Sequence, residues 1–178
     1  MDNFLELLLN RRSIRKYQDR QIEKEKIDII IKSALLSPSS RSRRPWEFII
    51  VSDKETLREL SLCREHSSDF ISDAPTGIVV LANPQLCDVW IEDASIASIL
   101  IQISAQSLGL GSCWIQIRNR MHDENTTAGD YIKKLLNVPQ HYEVESIIAI
   151  GYPAEHKDSH NQKDLRYDKV HYEKFTEV

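Results

Sequence analysis

Three arginines and a serine within five residues are the strongest chemical signal in this sequence: Arg11, Arg12, Ser13 and Arg15. They directly follow an almost wholly apolar run at residues 4–9. Guanidinium groups are permanently charged forks that suit phosphates and other planar anions, and a serine hydroxyl can donate to the same oxygens. On a helix, the first and last of these arginines would lie one turn apart on the same face. The stretch therefore indicates either a site for an elongated anion or the solvated basic end of a helix.

A second basic stretch, Arg41, Arg43 and Arg44, follows the turn sequence at residues 37–40. Neither this stretch nor residues 11–16 contains an acid, although the whole chain has 27 acidic and 23 basic residues. The resulting net charge of -4 argues against general binding to nucleic acids or anionic membranes. Two local positive patches on an acidic chain favour a small anionic ligand.

The side chains form no catalytic or metal-binding motif of their own. Residues 122–124 could ligate a metal by type, but three adjacent residues cannot share one helix face. Residues 109–111 begin like a dinucleotide-binding fingerprint, but they follow a predicted helix, and Trp114 takes the third glycine position. No metal-ligand spacing occurs among the three cysteines, Cys63, Cys87 and Cys113. We therefore predict no metal and no side-chain nucleophile, so a cofactor would have to carry any enzymatic chemistry.

Flavin mononucleotide would account for both basic patches. It carries a phosphate at one end and an electron-accepting ring at the other. Arginines at both ends would neutralise the phosphate and stabilise negative charge on the reduced ring near N1 and O2.

Length and composition indicate one globular domain. The chain has 178 residues, of which 41% are apolar and 28% charged. No apolar run approaches the roughly 20 residues of a membrane helix, and the N-terminus lacks the pattern of a signal peptide. An odd number of cysteines without a CxxC motif fits a reducing compartment. We expect a cytoplasmic protein that binds neither membranes nor nucleic acid.

Hydrophobic periodicity predicts alternating helices and strands. Helices are predicted at residues 3–10, 23–36, 52–66, 92–108 and 131–136, and strands at 46–51, 77–82, 113–117 and 146–150. The first helix is apolar around most of its circumference, so we expect it in the core or at a subunit interface. The helix at 92–108 should be the most buried. Short apolar strands separated by helices indicate a mixed sheet covered by helices, in an α/β or α+β fold.

Four motifs, in order along the chain, resemble the signatures of the FMN-dependent nitroreductase family. They are Arg-Arg-Ser-Ile-Arg-Lys-Tyr at 11–17, the stretch 37–48, Leu-Gly-Leu-Gly-Ser-Cys-Trp at 108–114 and Ile-Gly-Tyr-Pro at 150–153. The resemblance implies an α+β fold with a mixed, mainly antiparallel sheet flanked by helices. It also implies a single FMN-binding domain over residues 1–178 and an intertwined homodimer with FMN at the subunit interface. Residues 152–178, which are mostly polar, would form a C-terminal arm that wraps the partner.

The resemblance also implies roles for the N-terminal arginines. Arg11 and Ser13 would hold the phosphate and ribityl chain of FMN, with Arg12 adjacent. Arg15 would face the N1/O2 edge of the ring and support the reduced ring, so no residue is expected to be catalytic by itself. From the C-terminal arm, Arg166 in first place and Lys163 in second would bring a further cation to the phosphate.

Further FMN contacts are implied on both sides of the ring. Pro38, Ser39 and Ser40 of the partner chain would pack against the flavin, while Gln116 and Ile117 would lie beside it, with a backbone N–H near N5. The chain departs from the family where Ser42 replaces the usual asparagine and Arg44 the usual glutamine. Ser42 is thus a candidate ring contact with a shorter reach, and the added positive charge would favour an anionic substrate or NADPH.

The resulting hypothesis is an FMN-dependent oxidoreductase with a ping-pong cycle. NADH or NADPH would pass hydride to flavin N5 and leave, and an electron-poor acceptor such as a nitroaromatic or a quinone would then take the electrons. Two alternatives stay open: a flavin-binding sensor or storage module without turnover, and a protein that binds a polyanion through its basic patches without flavin. The sequence predicts neither the physiological acceptor nor the choice between NADH and NADPH.

Overall fold

The computed structural model describes residues 3–66 and 68–176, in which every predicted helix and strand has a counterpart. The helices are α1 (Asn3–Asn10), α2 (Lys24–Leu35), α3 (Lys54–Ser61), α4 (Trp90–Ser107) and α5 (Ala128–Leu135). The strands are β1 (Trp46–Val51), β2 (Thr76–Ala82), β3 (Gly111–Gln116) and β4 (Glu143–Gly151). No helix of the described part is long and apolar enough to cross a membrane.

The four strands form one sheet in the order β1-β2-β4-β3, and all three strand pairs are antiparallel. Among the residues that the structure describes, parallel pairing is limited to a single bridge between Ser13 and Ser112. Of the two fold classes that the residue pattern left open, the structure has the α+β class that the resemblance implied. β1 and β3 form the two edges of this sheet.

Alternating side chains along the central strands build two cores. On one face, Ile78 and Val80 of β2 pack with residues of α2 and α4. On the other face, Val79 and Leu81 pack with α3, α5 and the segment that follows α1. α4 buries more residues than any other described helix, as predicted. The sheet is therefore covered by helices on both faces.

The structure refines the sequence prediction at two helices. α1 forms where it was predicted, and of its two expected placements, the core and a subunit interface, the first is excluded in the single chain because Phe4 is 59% exposed and Leu5 40%. α3 ends at Ser61 instead of near residue 66, because the chain turns inward there and the buried Ser68 hydroxyl donates to the Ser61 carbonyl oxygen at 2.7 Å. This bond satisfies a carbonyl that a longer helix would have used.

The first part of the C-terminal arm lies antiparallel to the segment that follows α1. The N–H of Gln18 donates to the Tyr152 carbonyl oxygen at 2.9 Å, and the N–H of Ala154 donates to the Lys16 carbonyl oxygen at 2.8 Å. The residues at 161–170 are exposed and contain only single-turn 3-10 helices. The wrapping predicted for residues 152–178 concerns a partner chain, and its last two residues lie outside the described ones.

Candidate functional site

The predicted phosphate-binding segment, residues 11–15, lies beyond α1: the N–H of Arg11 still donates to the Leu7 carbonyl oxygen at 2.9 Å, and the residues after it are not helical. α1 ends just before it, and Ser13 forms a parallel bridge with Ser112 at the start of β3. The N–H of Ile14 donates to the Ser112 carbonyl oxygen at 3.0 Å. The two outer arginines therefore do not share a helix face, the arrangement that a helical segment would have given, because pairing with β3 draws the chain out of the helix.

The side chains of this segment lie in different surroundings. Ile14 is only 8% exposed and points into the core, and the guanidinium of Arg12, two residues earlier, donates to the Asp158 carbonyl oxygen. The three remaining predicted ligands, Arg11, Ser13 and Arg15, all interact with the thiol of Cys113, which groups them on one side of the segment.

Two residues of the C-terminal arm, Glu155 and Lys157, hold this segment in place. The Lys157 ammonium donates to the Ser13 carbonyl oxygen at 2.5 Å. One Glu155 oxygen accepts the backbone N–H groups of Arg15 at 2.6 Å and Lys16 at 3.2 Å, and it also lies 3.5 Å from the Lys157 ammonium. The Arg15 N–H foremost, followed by Lys157, lowers the pKa of the Glu155 carboxyl below its usual value.

Sequence reasoning missed both arm residues. Lys157 and Ser13 are 144 positions apart, and no local spacing pattern connects them. The motif at residues 150–153 marks the end of β4 but says nothing about the direction that the chain takes afterwards. Lys157 is a further cation for the predicted phosphate site.

The thiol of Cys113 marks the point on which these groups converge. Burial raises its pKa, while the charges of Arg15 and Lys157, a hydrogen bond with Ser13 and the charge of Arg11 act in the opposite direction. Because burial dominates, the thiol is protonated at neutral pH and is a poor nucleophile. Cys113 is only 1% exposed, which supports its interpretation as a small buried hydrophobic residue.

The electrostatics of this side of the segment fit a phosphate. Within residues 3–66 and 68–176, neither Arg11 nor Arg15 has a carboxylate partner, and Arg15 lies 5.8 Å from the centroid of the Phe70 ring. The nearby acid, Glu155, is already bonded to two backbone N–H groups. Two guanidiniums without a carboxylate partner, with a lysine beside them, form a suitable environment for an elongated anion that carries a phosphate at one end.

The second predicted group, Pro38, Ser39 and Ser40, lies at the opposite edge of the sheet. It precedes the start of β1, whereas residues 11–15 lie beside the start of β3. These two strands are separated by three inter-strand spacings, or about 14 Å, and they start at opposite ends of the sheet. One chain therefore does not bring the two groups together, and a site that uses both requires a second copy.

The turn around Ser42 is fixed by hydrogen bonds and has an unusual backbone. The N–H of Ser40 donates to an oxygen of the buried Asp93, and the N–H of Arg44 donates to the Ser39 hydroxyl, each at 2.9 Å. Three residues in this turn have left-handed φ angles: 51° at Arg41, 55° at Ser42 and 49° at Arg44. Such conformations are costly for residues other than glycine and cluster at ligand-binding turns.

Gln116 and Ile117 lie at the far end of β3. The side-chain oxygen of Gln116 accepts from the Trp114 indole, and its amide nitrogen donates to the Arg118 carbonyl oxygen, both at 3.0 Å. The side chain of Ile117 is 1% exposed, and its N–H donates to the Glu145 carbonyl oxygen at 3.2 Å. The backbone donor predicted near N5 is thus already bonded at Ile117, which leaves half-buried Gln116 as the accessible member of the pair.

Lys163 and Arg166 lie in the exposed part of the arm. The guanidinium of Arg166 binds both oxygens of Asp168, at 2.8 and 2.6 Å. The Lys163 ammonium has no partner in the described part of the chain. A phosphate would have to displace Asp168 from Arg166 but nothing from Lys163. The order in which the two residues would serve the phosphate stays a prediction.

Comparison with known proteins shows the family of this chain. A model of the nitroreductase family matches residues 8–64 and 60–152. A protein of Archaeoglobus fulgidus with the provisional name NADH dehydrogenase/NAD(P)H nitroreductase is 37% identical over 180 residues, covering 98% of this chain and 100% of that protein. FMN reductase (NADPH) of Bacillus subtilis is 30% identical over 181 residues, covering 86% of this chain and 67% of that protein.

Solved structures share the whole fold. The FMN-dependent nitroreductase of Clostridium difficile R20291 superimposes with a TM-score of 0.95 at 55% identity, over 96% of this chain and 99% of that chain. NfrA1 nitroreductase of Bacillus subtilis has a TM-score of 0.83 at 27% identity, over 99% of this chain and 76% of that chain. The family match extends over most of the chain, and the structural match over nearly all of it. The chain belongs to the nitroreductase family.

Proposed function

We propose that this chain is an FMN-dependent oxidoreductase that passes electrons from NAD(P)H to an electron-poor acceptor such as a nitroaromatic or a quinone. The observation that carries the proposal is the pair of guanidiniums, Arg11 and Arg15, on one side of a fixed segment and without a carboxylate partner in the described chain. Similar proteins are named for FMN and NAD(P)H, which supports this assignment.

The residues around Cys113 fit the phosphate end of FMN. Arg11, the Ser13 hydroxyl and Lys157 would bind the phosphate and the adjoining ribityl chain, and Arg15 would stabilise negative charge at the N1/O2 edge of the ring. Bound FMN would supply the electron-accepting ring that the side chains themselves lack. The protein's own part would be to bind, orient and shield this ring.

We also propose that the site is completed in a homodimer. Apolar side chains on α1, on α4 and at the end of α2 are exposed in the single chain, with Phe4 at 59%, Ile99 at 37% and Leu36 at 81%. Large exposed apolar surfaces mark interaction sites. Residues 38–40 lie at the sheet edge opposite to the arginine segment, so a partner copy is needed to place them on the same flavin.

The experiment is a turnover assay on protein incubated with excess FMN and then desalted. We expect a yellow protein that oxidises NADPH or NADH when a quinone or a nitroaromatic is added. Protein that stays colourless contradicts the proposal. Yellow protein that oxidises neither nucleotide with any acceptor would instead support a flavin-binding module without turnover.

A further inference from the structure

We infer that the turn at residues 41–44 is a binding site for the phosphate groups of the reductant, and that it makes the chain prefer NADPH over NADH. This inference rests on the proposed function, since it concerns the donor of the same reaction. It commits to one donor, whereas the proposed function is compatible with both.

The first argument is the lack of charge compensation in the turn. Three exposed arginines elsewhere on the surface have carboxylate partners at 2.6 Å: Arg20 with Glu23, Arg58 with Glu55 and Arg166 with Asp168. In the turn, the Arg43 guanidinium donates only to the Leu86 carbonyl oxygen, at 3.1 Å, and the side chains of Arg41 and Arg44 have no partner among the residues that the structure describes. A chain with an excess of acids thus leaves three neighbouring guanidiniums without an acid.

The second argument is that the turn is fixed before a ligand arrives. Asp93, which is 3% exposed, accepts the N–H of Ser40 at 2.9 Å, and the Ser39 hydroxyl accepts the N–H of Arg44 at the same distance. These bonds hold Arg41 and Arg44 in left-handed backbone conformations. Binding therefore orders only the side chains and not the backbone, which reduces the entropic cost.

The third argument is the position of the turn. It continues directly from residues 38–40, which the proposed function places against the flavin, and all four of its residues are exposed. The FMN phosphate is assigned to Arg11 at the other sheet edge, so it does not use these charges. A second anionic molecule that approaches the ring would meet them, and NADPH carries one phosphate more than NADH.

Guanidinium groups are suited to this discrimination. They bind phosphate oxygens through two parallel hydrogen bonds and remain charged at every physiological pH. Contacts with the diphosphate would strengthen the binding of NADH and NADPH equally. Only contacts with the extra phosphate of NADPH can therefore favour one nucleotide over the other. The preference should therefore appear as a ratio of kcat/KM values and should weaken with salt, because the site is exposed.

The experiment compares the FMN-loaded wild type, the double variant Arg41→Gln/Arg44→Gln and the control variant Arg58→Gln. Arg58 is an exposed arginine on α3, which begins beyond the far end of β1. The ratio of kcat/KM for NADPH to that for NADH is measured with a neutral quinone, so that the charge of the acceptor has no influence. Each protein is also titrated with FMN.

We expect the wild type to prefer NADPH. In the double variant the ratio should fall about tenfold, because the loss of contacts between guanidinium and phosphate lowers kcat/KM for NADPH. The control variant should keep the wild-type ratio. In the wild type, kcat/KM for NADPH should also fall more steeply with ionic strength than that for NADH, a measurement that requires no variant.

An unchanged ratio in the double variant, or a wild type that uses NADH at least as well as NADPH, overturns the inference while leaving the proposed function intact, provided that FMN binds. If the wild type does not bind FMN, both proposals fail.

Discussion

At the scale of single residues, the site depends on keeping the Glu155 carboxylate away from the guanidinium of Arg15 while using it to hold the Arg15 backbone. Glu155 accepts the N–H groups of Arg15 and Lys16, so its negative charge is used locally. The Arg15 side chain is then available for a ligand. This arrangement leads to two predictions that involve Glu155 and one that compares neighbouring arginines.

Glu155→Ala should weaken FMN binding about fivefold or more, because it removes two charge-assisted hydrogen bonds from the segment that carries the ligands. A fluorescence titration with FMN measures the effect. Glu155→Gln, which keeps an acceptor oxygen, should bind FMN with intermediate affinity, and Glu124→Ala on an exposed loop should bind it normally. Unchanged affinity in Glu155→Ala would show that the contact does not position the site.

The stability provided by Glu155 should depend on pH in one direction. Its pKa is lowered in the folded protein, so the carboxylate stabilises the fold above the ordinary glutamate pKa near 4.5 and loses this effect as the pH falls through its folded value. The difference in Tm between the wild type and Glu155→Gln, both without FMN, should therefore be present at pH 7 and shrink below about pH 4.5. A difference that grows towards low pH would contradict this assignment.

Neighbouring arginines of the segment should differ in their effect on the ligand. Arg11→Gln should raise the Kd for FMN about tenfold, because its guanidinium is free to bind the phosphate. Arg12→Gln should have a smaller effect, since Arg12 is bonded to the Asp158 carbonyl oxygen. Calorimetric titration of both variants measures the difference. Equal losses of affinity would contradict the different placement of the Arg11 and Arg12 side chains.

These residues also show what the sequence could predict at this scale. The arginines could be identified because their types and spacing are local. Glu155 and Lys157 could not, since their roles depend on the path of the chain after β4. A backbone N–H near N5 was expected from Gln116 or Ile117, and the N–H of Ile117 is bonded to the Glu145 carbonyl oxygen.

At the scale of elements, glycine allows the arginine segment to lie close to β3. A Cβ atom at Gly111 would lie 2.8 Å from the Cβ of Ile14, which is closer than real Cβ contacts allow. Ile14 lies between Ser13 and Arg15, two of the predicted ligands. The contact therefore links the packing of β3 directly to the placement of the arginines.

Gly111→Ala should destabilise the fold by about 1–3 kcal/mol, because the added methyl group forces Ile14 and its segment away from β3. It should also weaken FMN binding, which a titration at a temperature where the variant is folded can measure. Gly129→Ala in α5 is the matched control: its added methyl group meets nothing closer than 3.8 Å, and it should be neutral or raise stability by up to about 1 kcal/mol. Equal Tm values for the wild type and Gly111→Ala would contradict the close contact.

Element prediction succeeded where the signal was local and failed where a distant contact decided the conformation. The strands predicted at 46–51 and 77–82 agree with β1 and β2 to within one residue, because their own apolar residues indicate a buried strand. Residues 11–15 carried no such local signal, since the N–H of Ile14 donates to the carbonyl oxygen of Ser112 in β3, far along the chain.

At the scale of the whole molecule, a monomer exposes apolar surface and separates the two halves of the predicted site. Phe4 on α1 is 59% exposed, and Leu62 in the turn after α3 is exposed to a similar degree at 58%. Only the first belongs to the surface that we assign to the dimer. Substitutions at Phe4 and Leu62 can therefore separate the effect of a specific interface from the effect of an exposed apolar side chain elsewhere.

Phe4→Asp should shift the protein from dimer to monomer and reduce FMN affinity, because a monomer lacks the partner's residues 38–40. Leu62→Asp should leave both properties unchanged. Light scattering coupled to size-exclusion chromatography, together with FMN titration, measures both effects. A wild-type monomer that binds FMN with full affinity would contradict the shared site.

From the sequence, a dimer could be expected only through the family resemblance. The composition of α1 left open whether it lies in the core or at an interface, and the structure of one chain excludes the first of these. Likewise, the polar C-terminal arm was expected to be disordered or to lie on another surface, and its first part lies on residues 9–18 of its own chain.

The most direct test of the central claim is a titration of the metal-free, FMN-free wild-type protein with FMN, followed by absorbance and by quenching of flavin fluorescence. The account predicts saturable binding of one FMN per chain, with bleaching of the bound flavin when NADPH is added without oxygen. Absence of binding, or binding that Arg11→Gln/Arg15→Gln leaves unchanged, would contradict it.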